Sequence, residues 1–505
     1  MLRAFEEKFA AGKEQNDFEP GGIYDVQFLL SLTGGVYDFY FLPSSSKSPE
    51  GNAAEHDCNY AGHPEAAKSA GEEEPDKLST SIFWYMAMPL AFMLTVPNVV
   101  ICSVSFVVKR CATISLALES GFLSFLWESW TAYGLGPRDC WQFLMVFALH
   151  SSLSIEALRG KKYWGPPTSS GHKPVYWNNG FTYYALTMAI AVFFLLGEDL
   201  PCYTLYQALP GFTVALVIGG TFVSALLFLM GTMDPSPGEF GTTGNIVFDF
   251  YWGIELYPRI GHRFDMKMWT NSRFGMMLWQ LLVLACWKAQ VDTSGWNWAV
   301  AVSAVLQSAY IAKFFWWEDL YMQTMDITVD RGGFYMCWSH IAFVPSMYSL
   351  ASVYMVENPS DMSPAAAALV LVTGITMTLS TCWCQRQKQL VNEKEGDCII
   401  WGSPAKVIKA AYKDASGNDD TKYLVASGFW SVCRHPNYVF EILTALCWVL
   451  PSGNESVVPY FYVIFLVGWF VYRTHRFERL CAKKYGKYWT EYCSLVKYRI
   501  IPRVF

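Results

Sequence analysis

Residues 421–505 hold the densest set of side chains suited to binding chemistry. Trp430 and Tyr438 offer flat faces for an adenine or nicotinamide ring, and Asn437 can make two hydrogen bonds to a carboxamide. Arg434 has the planar fork that grips phosphates, and Lys484 adds positive charge in a basic tail. This combination suits a planar, phosphate-bearing ligand from the aqueous side. The alternative is an aromatic belt and basic helix lying against lipid headgroups.

Two acidic segments lie next to apolar runs and offer candidate proton donors. The first contains Tyr251 and Glu255, and the second contains Asp326 and Asp330, which are four residues apart and followed by Arg331. On a helix, residues four apart share one face. A carboxyl group in a membrane-facing pocket tends to stay protonated, because desolvation disfavours its charged form. Both segments therefore predict an acid or, alternatively, ion pairs that hold loops in place.

The composition predicts the elements that must position these residues. Of 505 residues, 53% are hydrophobic and only 16% are charged, well below the ~25% typical of soluble domains. Several apolar runs reach the ~20 residues that a membrane-spanning helix needs. We therefore expect an all-α polytopic membrane protein with about ten transmembrane helices. The runs lie at 82–108, 115–133, 140–157, 181–197, 211–231, 274–290, 297–316, 333–355, 364–384, 437–450 and 457–472.

Composition also divides the chain into three parts. Residues 1–80 are polar and predict a largely disordered cytosolic segment, and 81–384 predict the transmembrane helices. Residues 385–505 form a C-terminal part with the last two spans. Basic residues flank those spans, so the positive-inside rule places the 385–435 loop and the 473–505 tail together in the cytosol. They can therefore share one cofactor pocket.

Other features narrow the function classes. The start of the chain is charged and lacks the apolar core of a cleavable signal peptide. Fourteen cysteines are scattered without a paired CxxC, which indicates reduced thiols and no metal site. Residues 1–80 are acidic, which argues against a nucleic-acid-binding domain. No Walker or GxGxxG loop is present, so a nucleotide would be held outside those folds.

Several motifs resemble the sterol reductase family of the endoplasmic reticulum, and most of all its Δ7-sterol reductase branch. The likeness covers roughly residues 140–505 and includes nine motifs in order. These motifs are Gly253–Gly261, Phe314–Glu318, Asp326–Arg331, Arg386–Lys388, Trp401–Gly402, Ser427–Trp430, Arg434–His435, Cys481–Gly486 and Lys497–Pro502.

The resemblance implies a ten-helix bundle in the endoplasmic reticulum membrane with NADPH in a cytosol-facing C-terminal pocket. It implies a sterol substrate from the bilayer, with membrane lipids and other sterol-biosynthesis enzymes as partners. Together with Arg434, the positions expected to contact NADPH are Lys388, Val425, Trp430, Asn437, Tyr438, Cys481, Ala482, Lys483, Lys484, Tyr485 and Tyr492.

The implied reaction is reduction of the C7=C8 bond of 7-dehydrocholesterol-type sterols. An unactivated double bond needs a proton as well as a hydride, and the candidate donors are Tyr251, Glu255, Asp326 and Asp330. The alternatives are a Δ14- or C24-sterol reductase, or a sterol-binding member with impaired turnover. A more distant rival is a membrane methyltransferase of the isoprenylcysteine type, which uses S-adenosylmethionine.

Two positions depart from the pattern of the family. Asn392 stands where the family has an arginine, and Phe477 stands where it has an aspartate. That aspartate resembles a residue that contacts the cofactor, and phenylalanine can neither accept nor donate a proton. Lys394 or Arg473 is a candidate replacement for the missing positive charge. Both departures bear on NADPH affinity and turnover.

Overall fold

The computed structural model describes residues 83–110, 121–165, 173–197, 201–236, 240–322, 324–413 and 419–504. The prediction that residues 1–80 are disordered therefore lies outside the described residues. So does the first part of the predicted span 115–133.

The described chain is mostly helical, as a polytopic membrane protein should be. Five of its helices are long and apolar enough to cross a membrane, fewer than the ten or so predicted. Other apolar runs form shorter or interrupted helices, such as Pro436–Val449, which is shorter than the ~20 residues a bilayer requires. The five long helices are Tyr85–Lys109, Cys202–Met233, Met266–Ser294, Trp298–Trp316 and Pro364–Glu393.

The helices are numbered here in chain order. The first eight are α1 (Met88–Arg110), α2 (Phe122–Thr131), α3 (Arg138–Ala157), α4 (Gly180–Leu196), α5 (Cys202–Met233), α6 (Ile246–Trp252), α7 (Met266–Met268) and α8 (Met277–Ser294). The next five are α9 (Trp298–Trp316), α10 (Glu318–Tyr321), α11 (Met325–Thr328), α12 (Val344–Tyr348) and α13 (Leu350–Glu357). The last four are α14 (Pro364–Glu393), α15 (Pro436–Val449), α16 (Phe461–Tyr485) and α17 (Lys487–Leu495).

Two π-helical segments interrupt the apolar runs and pack against each other. Trp269–Met276 joins α7 to α8, and Phe334–Phe343 leads into α12, so the predicted span 333–355 is not one continuous helix. Gly275 permits the close approach, because a Cβ there would collide with the carbonyl oxygen of His340. π-Helical turns often occur at functional sites.

Aromatic rings fill the core between the helices. Trp279 of α8 is fully buried and has ring contacts with Tyr310, Tyr348, Trp448 and Tyr462. These rings come from four further helices, α9, α12, α15 and α16. Edge-to-face and tilted ring pairs of this kind stabilise the core beyond the contribution of the apolar area that they bury.

The described residues are mostly helical, as the all-α prediction requires, but they also contain four antiparallel strand pairs that it did not include. They are β1 (Lys161–Trp164) with β2 (Val175–Asn178), β3 (Arg259–Ile260) with β4 (Phe264–Asp265), β5 (Ile399–Ile400) with β6 (Ser403–Pro404), and β7 (Val407–Lys413) with β8 (Asp419–Val425). The longest pair, β7 and β8, lies in the segment predicted to be a cytosolic loop. Its register pairs Val407 with Val425 and Lys413 with Asp419.

Most of the predicted span at 457–472 lies in α16, which continues into the basic tail, and a second helix, α17, follows it. Helix α16 ends at Tyr485, because Gly486 adopts a φ of 53° that ends a helix readily, and α17 starts at Lys487. The loop and the tail do lie side by side, as predicted. The Arg434 N–H donates to the Tyr498 carbonyl oxygen at 2.9 Å.

Candidate functional site

Helices α16 and α17 pack against the inner face of β7 and β8 and form one apolar cluster. The cluster contains Cys481, Tyr485 and Tyr492, three of the residues expected to contact a cofactor, and all three are buried. Ala482 and Lys483 are exposed on the opposite side of α16. The helix therefore turns only part of the predicted Cys481–Tyr485 motif towards the strands.

A second cluster joins the end of α14 to the segment after β8. Val425 and Trp430 are buried in it beside Cys384, whose carbonyl oxygen accepts a hydrogen bond from Trp430 Nε1 at 2.9 Å. Lys388 Nζ lies 3.2 Å from the centre of the Trp430 ring, as a cation–π contact. Three further predicted residues thus come together, with a positive charge over an aromatic face.

A stack of three rings connects the two clusters. Tyr438 lies between His435, at 4.9 Å between ring centres, and Phe470, at 4.1 Å, and both pairs are nearly parallel. Phe477 meets the His435 ring edge-on at 5.6 Å. Burial, followed by the charges of nearby cations, lowers the pKa of His435 well below its ordinary value, so the imidazole is neutral. Asn437 is buried next to this stack.

Arg434, predicted to grip a phosphate, instead forms part of a clamp on the C-terminal tail. Its Nε donates to Glu478 Oε1 at 2.6 Å, and its Nη1 donates to the carbonyl oxygens of Val496 and Lys497 at 2.8 and 3.0 Å. Arg499 Nε donates to the other oxygen of Glu478 at 2.9 Å. Glu478 therefore holds two arginines and points away from the position that Phe477 occupies.

The acids of the second segment are held by arginines of α16. Arg473 Nη1 lies 3.1 Å from Asp326 Oδ1, and the two terminal guanidinium nitrogens of Arg476 contact the Asp330 carboxylate. Helix α11 ends before Asp330, so the two acids do not share a helix face as predicted. Arg331 turns away from them and donates to the carbonyl oxygen of Ile254.

Lys267 holds the backbone of the same segment, from Asp326 to Asp330. Its Nζ donates to the carbonyl oxygens of Asp326, Ile327 and Asp330 at 3.1, 2.6 and 2.8 Å, and its side chain is fully buried. Tyr335 OH donates to Asp330 Oδ2 at 3.4 Å. Lys267 is 59 to 63 residues from the carbonyl groups that it contacts, so no local pattern marks it as part of the site, whereas Tyr335 is five residues from Asp330.

The other two predicted proton donors lie in α6 and just after it. The Tyr251 ring contacts Phe92 at 5.3 Å and Tyr335 at 5.9 Å between ring centres. Glu255 Oε1 accepts a hydrogen bond from the Ser236 N–H at 2.7 Å. The structure therefore brings Tyr251 close to the ring that contacts Asp330, while Glu255 is tied to the chain after α5.

A half-open cavity of about 290 Å³ lies beside these clusters, between the end of α9 and α14. Its wall combines apolar side chains, including Leu379 and Trp383, with Lys313 and Arg386. None of the predicted site residues belongs to this wall. Within the described ranges, no group of three or more histidine, cysteine, aspartate or glutamate residues is arranged to hold a metal ion.

Comparison with known proteins places the chain in a family. It matches the model of the ergosterol biosynthesis ERG4/ERG24 family over residues 78–505. It is 38% identical over 388 residues to a protein of Arabidopsis thaliana named 7-dehydrocholesterol reductase, covering 75% of this chain and 90% of that protein. It is 36% identical over 289 residues to the 7-dehydrocholesterol reductase of Danio rerio, covering 57% of this chain and 60% of that protein.

A relative with a different name matches a similar length of the chain. The Gallus gallus protein named Delta(14)-sterol reductase LBR is 34% identical over 391 residues, which cover 76% of this chain and 57% of that protein. The chain thus spans less than two thirds of the zebrafish and chicken relatives but nearly the whole of the plant one. With the family model matched over residues 78–505, the chain belongs to the ergosterol biosynthesis ERG4/ERG24 family of sterol reductases.

Proposed function

We propose that this protein is a Δ7-sterol reductase that uses NADPH to reduce the C7=C8 bond of 7-dehydrocholesterol-type sterols. The observation that carries this proposal is the match to the plant protein, which bears the name 7-dehydrocholesterol reductase and is covered over 90% of its length. The clusters around Trp430 and Tyr485 support it, because they contain five of the twelve residues expected at a cofactor pocket and their rings contact two more, Lys388 and Lys484.

The residues of these clusters fit a phosphate-bearing dinucleotide. Lys388 and Lys484 supply positive charge beside the aromatic rings of Trp430 and Tyr485, and the neutral His435 adds no charge. When bound, NADPH would supply the hydride. Trp430 already contacts Lys388, and Arg434 already donates to Glu478. Stacking of a cofactor ring on Trp430, or binding of a phosphate by Arg434, would therefore require these side chains to move.

Reduction of an isolated double bond adds one hydride and one proton across it. As the proton arrives, positive charge develops on a ring carbon that is tertiary or allylic. Aromatic faces can stabilise that charge through cation–π attraction, and a site that excludes water protects it from capture. The rings of Tyr251, Phe92 and Tyr335 provide such faces, and the Tyr335 hydroxyl contacts Asp330.

Of the four candidate proton donors, Tyr251 fits this task best. Asp326 and Asp330 accept hydrogen bonds from arginines, so they hold α16 rather than offer a proton. Glu255 accepts a backbone N–H. We expect Tyr251→Phe to lower kcat by roughly 10²- to 10⁴-fold, the usual contribution of a general acid, while sterol binding is retained. The matched control is Tyr257→Phe, and a Tyr251→Phe enzyme with full kcat would exclude this donor.

The proposal includes the placement of the protein. The chain would cross the endoplasmic reticulum membrane about ten times, with the shorter apolar helices adding passes to the five long ones. The clusters around Trp430 and Tyr485 would face the cytosol, beside the basic tail. The sterol would come from the bilayer, and membrane lipids and other enzymes of sterol biosynthesis would be the partners.

The test is sterol profiling of membranes from cells that accumulate Δ5,7-sterols and express this chain, with and without NADPH. We expect loss of the C7=C8 bond only when NADPH is added. Parallel reactions with Δ14- and C24-unsaturated sterols distinguish the neighbouring activities. Conversion of a Δ14 sterol alone would refute the Δ7 assignment and agree with the similarity to the chicken Δ14 relative.

The second candidate is a sterol-binding member of the family without turnover, and Phe477 favours it. The ring is fully buried between His435 and Trp489, at 5.6 and 6.3 Å between ring centres. It fills the position of the family's aspartate, and Glu478 does not replace that group because it holds Arg434 and Arg499. An unchanged sterol profile with folded protein, together with saturable sterol binding, would establish this candidate.

A further inference from the structure

The inner face of β7 and β8 is apolar except for one lysine and one aspartate. Ile408, Ala410 and Leu424 are buried on this face, and Lys422, which pairs with Ala410 in the register, is only 8% exposed. Lysine is rarely buried to this extent in proteins, because desolvating an ammonium group is costly. Lys422 therefore places a positive charge on an otherwise largely apolar face.

A second lysine points at the same place from α16. Lys484 Nζ lies 4.0 Å from the centre of the Tyr412 ring and 5.5 Å from that of Tyr485. Burial and then the charge of Lys484 lower the pKa of Lys422 to about 8, partly opposed by Asp420. The charge of Lys484 thus disfavours the ammonium form of Lys422, and buried groups perturbed in this way cluster at functional sites.

We propose that Lys422 and Lys484 form a subsite for a phosphate group of the nucleotide cofactor, which rests on the NADPH dependence proposed above. A phosphate monoester carries about −1.5 to −2 charges at pH 7 and three acceptor oxygens, so it neutralises both ammonium groups. The carboxylate of Asp420, which accepts a hydrogen bond from Tyr412, also acts on Lys422, and the phenol of Tyr485 is influenced by the same carboxylate. With two lysines and one carboxylate, the subsite carries a net positive charge.

The position of the subsite fits the rest of the cofactor region. Val425, which belongs to the Trp430 cluster, lies three residues further along β8, about 10 Å from Lys422 at the usual rise of a strand, and its side chain points to the opposite face of the strand pair, so a long cofactor would have to pass the end of the pair to contact both. Asn392, where the family has an arginine, turns back to donate to the Lys388 carbonyl oxygen at 2.9 Å. Lys394 and Arg473 do not replace that arginine here, because Lys394 is exposed and Arg473 is bound to Asp326. The β7–β8 pair supplies the charge instead.

The test measures binding of nucleotide fragments to the purified full-length protein by calorimetry, without any sterol. The probes are 2′,5′-ADP and 5′-ADP, each compared with 5′-AMP. In Lys422→Gln we expect at least tenfold weaker binding of the probe whose extra phosphate uses the subsite, as loss of a charge-assisted hydrogen bond implies. Lys409→Gln is the matched control, because Lys409 lies on the exposed outer face of the same strand pair.

Each outcome decides a separate point. A loss confined to 2′,5′-ADP assigns the subsite to the 2′-phosphate, and a loss confined to 5′-ADP assigns it to the pyrophosphate. Equal binding of both probes to Lys422→Gln and to the unaltered protein overturns the subsite. Since no turnover is involved, absent sterol reduction with intact probe selectivity refutes the proposed function but not the subsite.

A pH series adds a signature that a structural role would not produce. Phosphate stays largely dianionic between pH 7 and 9, whereas Lys422 loses its proton as the pH passes about 8. Binding of the selective probe should therefore weaken across this range in the unaltered protein. In Lys422→Arg, whose side chain stays charged, the binding should persist at pH 9. A pH profile identical in both proteins would contradict the assignment.

Discussion

The buried ion pair between Asp330 and Arg476 provides the sharpest test of how this protein uses its acids. Asp330 is 1% exposed, and its carboxylate contacts both terminal nitrogens of the Arg476 guanidinium. Arg476→Met would leave the carboxylate with the Tyr335 hydroxyl at 3.4 Å. The change keeps a side chain of similar length on α16, so the expected loss comes from the pair itself.

Removing one partner of a buried ion pair costs about 3–5 kcal/mol, because the remaining charge stays desolvated. This corresponds to a factor of roughly 10² to 10⁴ in the folding equilibrium. Adding Asp330→Asn removes the orphaned charge, so the double variant should recover most of the loss, with a coupling energy of about 2–3 kcal/mol. As a control, Lys288→Met with Asp292→Asn breaks an exposed pair on α8 and should change stability by less than about 0.5 kcal/mol.

Thermal unfolding in detergent gives the stability of the four proteins in the cycle, and sterol turnover gives their activity. If Asp330 only holds α16, the double variant regains turnover together with stability. If Asp330 donates the proton, as its position in the sequence allowed, the double variant is stable but inactive. An Arg476→Met protein as stable as the unaltered one would refute the reasoning altogether.

Three further outcomes concern the C-terminal part of the molecule. Lys422→Met should raise the free energy of unfolding at pH 7 by up to about 3 kcal/mol, because the pKa of this lysine falls from 10.5 to about 8 on folding. For the same reason the unaltered protein should become more stable as the pH rises from 8 to 10.5. Urea unfolding at both pH values measures this gain in stability. Glu478→Gln should weaken the clamp of Arg434 and Arg499, so limited proteolysis should cut the tail sooner, and equal cutting rates would contradict the clamp. Phe477→Asp should lower the free energy of unfolding by roughly 3 kcal/mol or more, because it replaces a fully buried ring with a carboxylate. An unchanged melting temperature would show that this site holds water or a cation.

The apolar runs predicted the helices well where each run is long and uninterrupted. The runs at 211–231, 297–316 and 364–384 correspond to α5, α9 and α14, which extend or match them. Hydrophobicity alone measures only the tendency to leave water, so it cannot show that 333–355 would break into a π-helical segment and two short helices. That break depends on packing against Trp269–Met276.

The strand pair β7 and β8 was missed although the sequence contained a signal. Ile408, Ala410 and Tyr412 alternate with polar or small residues at a period of two, which is typical of a half-buried strand. Next to long apolar runs, this segment was interpreted only as a basic cytosolic loop. The break at Gly486 was also readable, since a glycine after basic residues often ends a helix.

The partners of the site residues were beyond sequence reasoning for a different reason. Asp326 and Arg473 are 147 residues apart, and Arg434 and Glu478 are 44 apart, so nothing local links them. The sequence showed residue types and local spacing, and the ion pairs arise only when α16 packs against both segments. This explains why Arg434 was predicted to grip phosphate when its guanidinium holds the tail.

Helix α16 joins the two halves of the site on a single face. Arg473, Phe477, Cys481 and Tyr485 follow one another at intervals of four residues, so they form one buried stripe along the helix. At the usual rise of 1.5 Å per residue, the stripe runs about 18 Å from the arginine that holds Asp326 to the ring beside Lys484. Because this one rigid element contacts both the acid segment and the β7–β8 face, the spacing between them is set by the helix itself. The phenylalanine at 477 lies in the middle of that stripe, where a polar group would face the neutral His435, and this is why one substitution bears on cofactor binding and stability together.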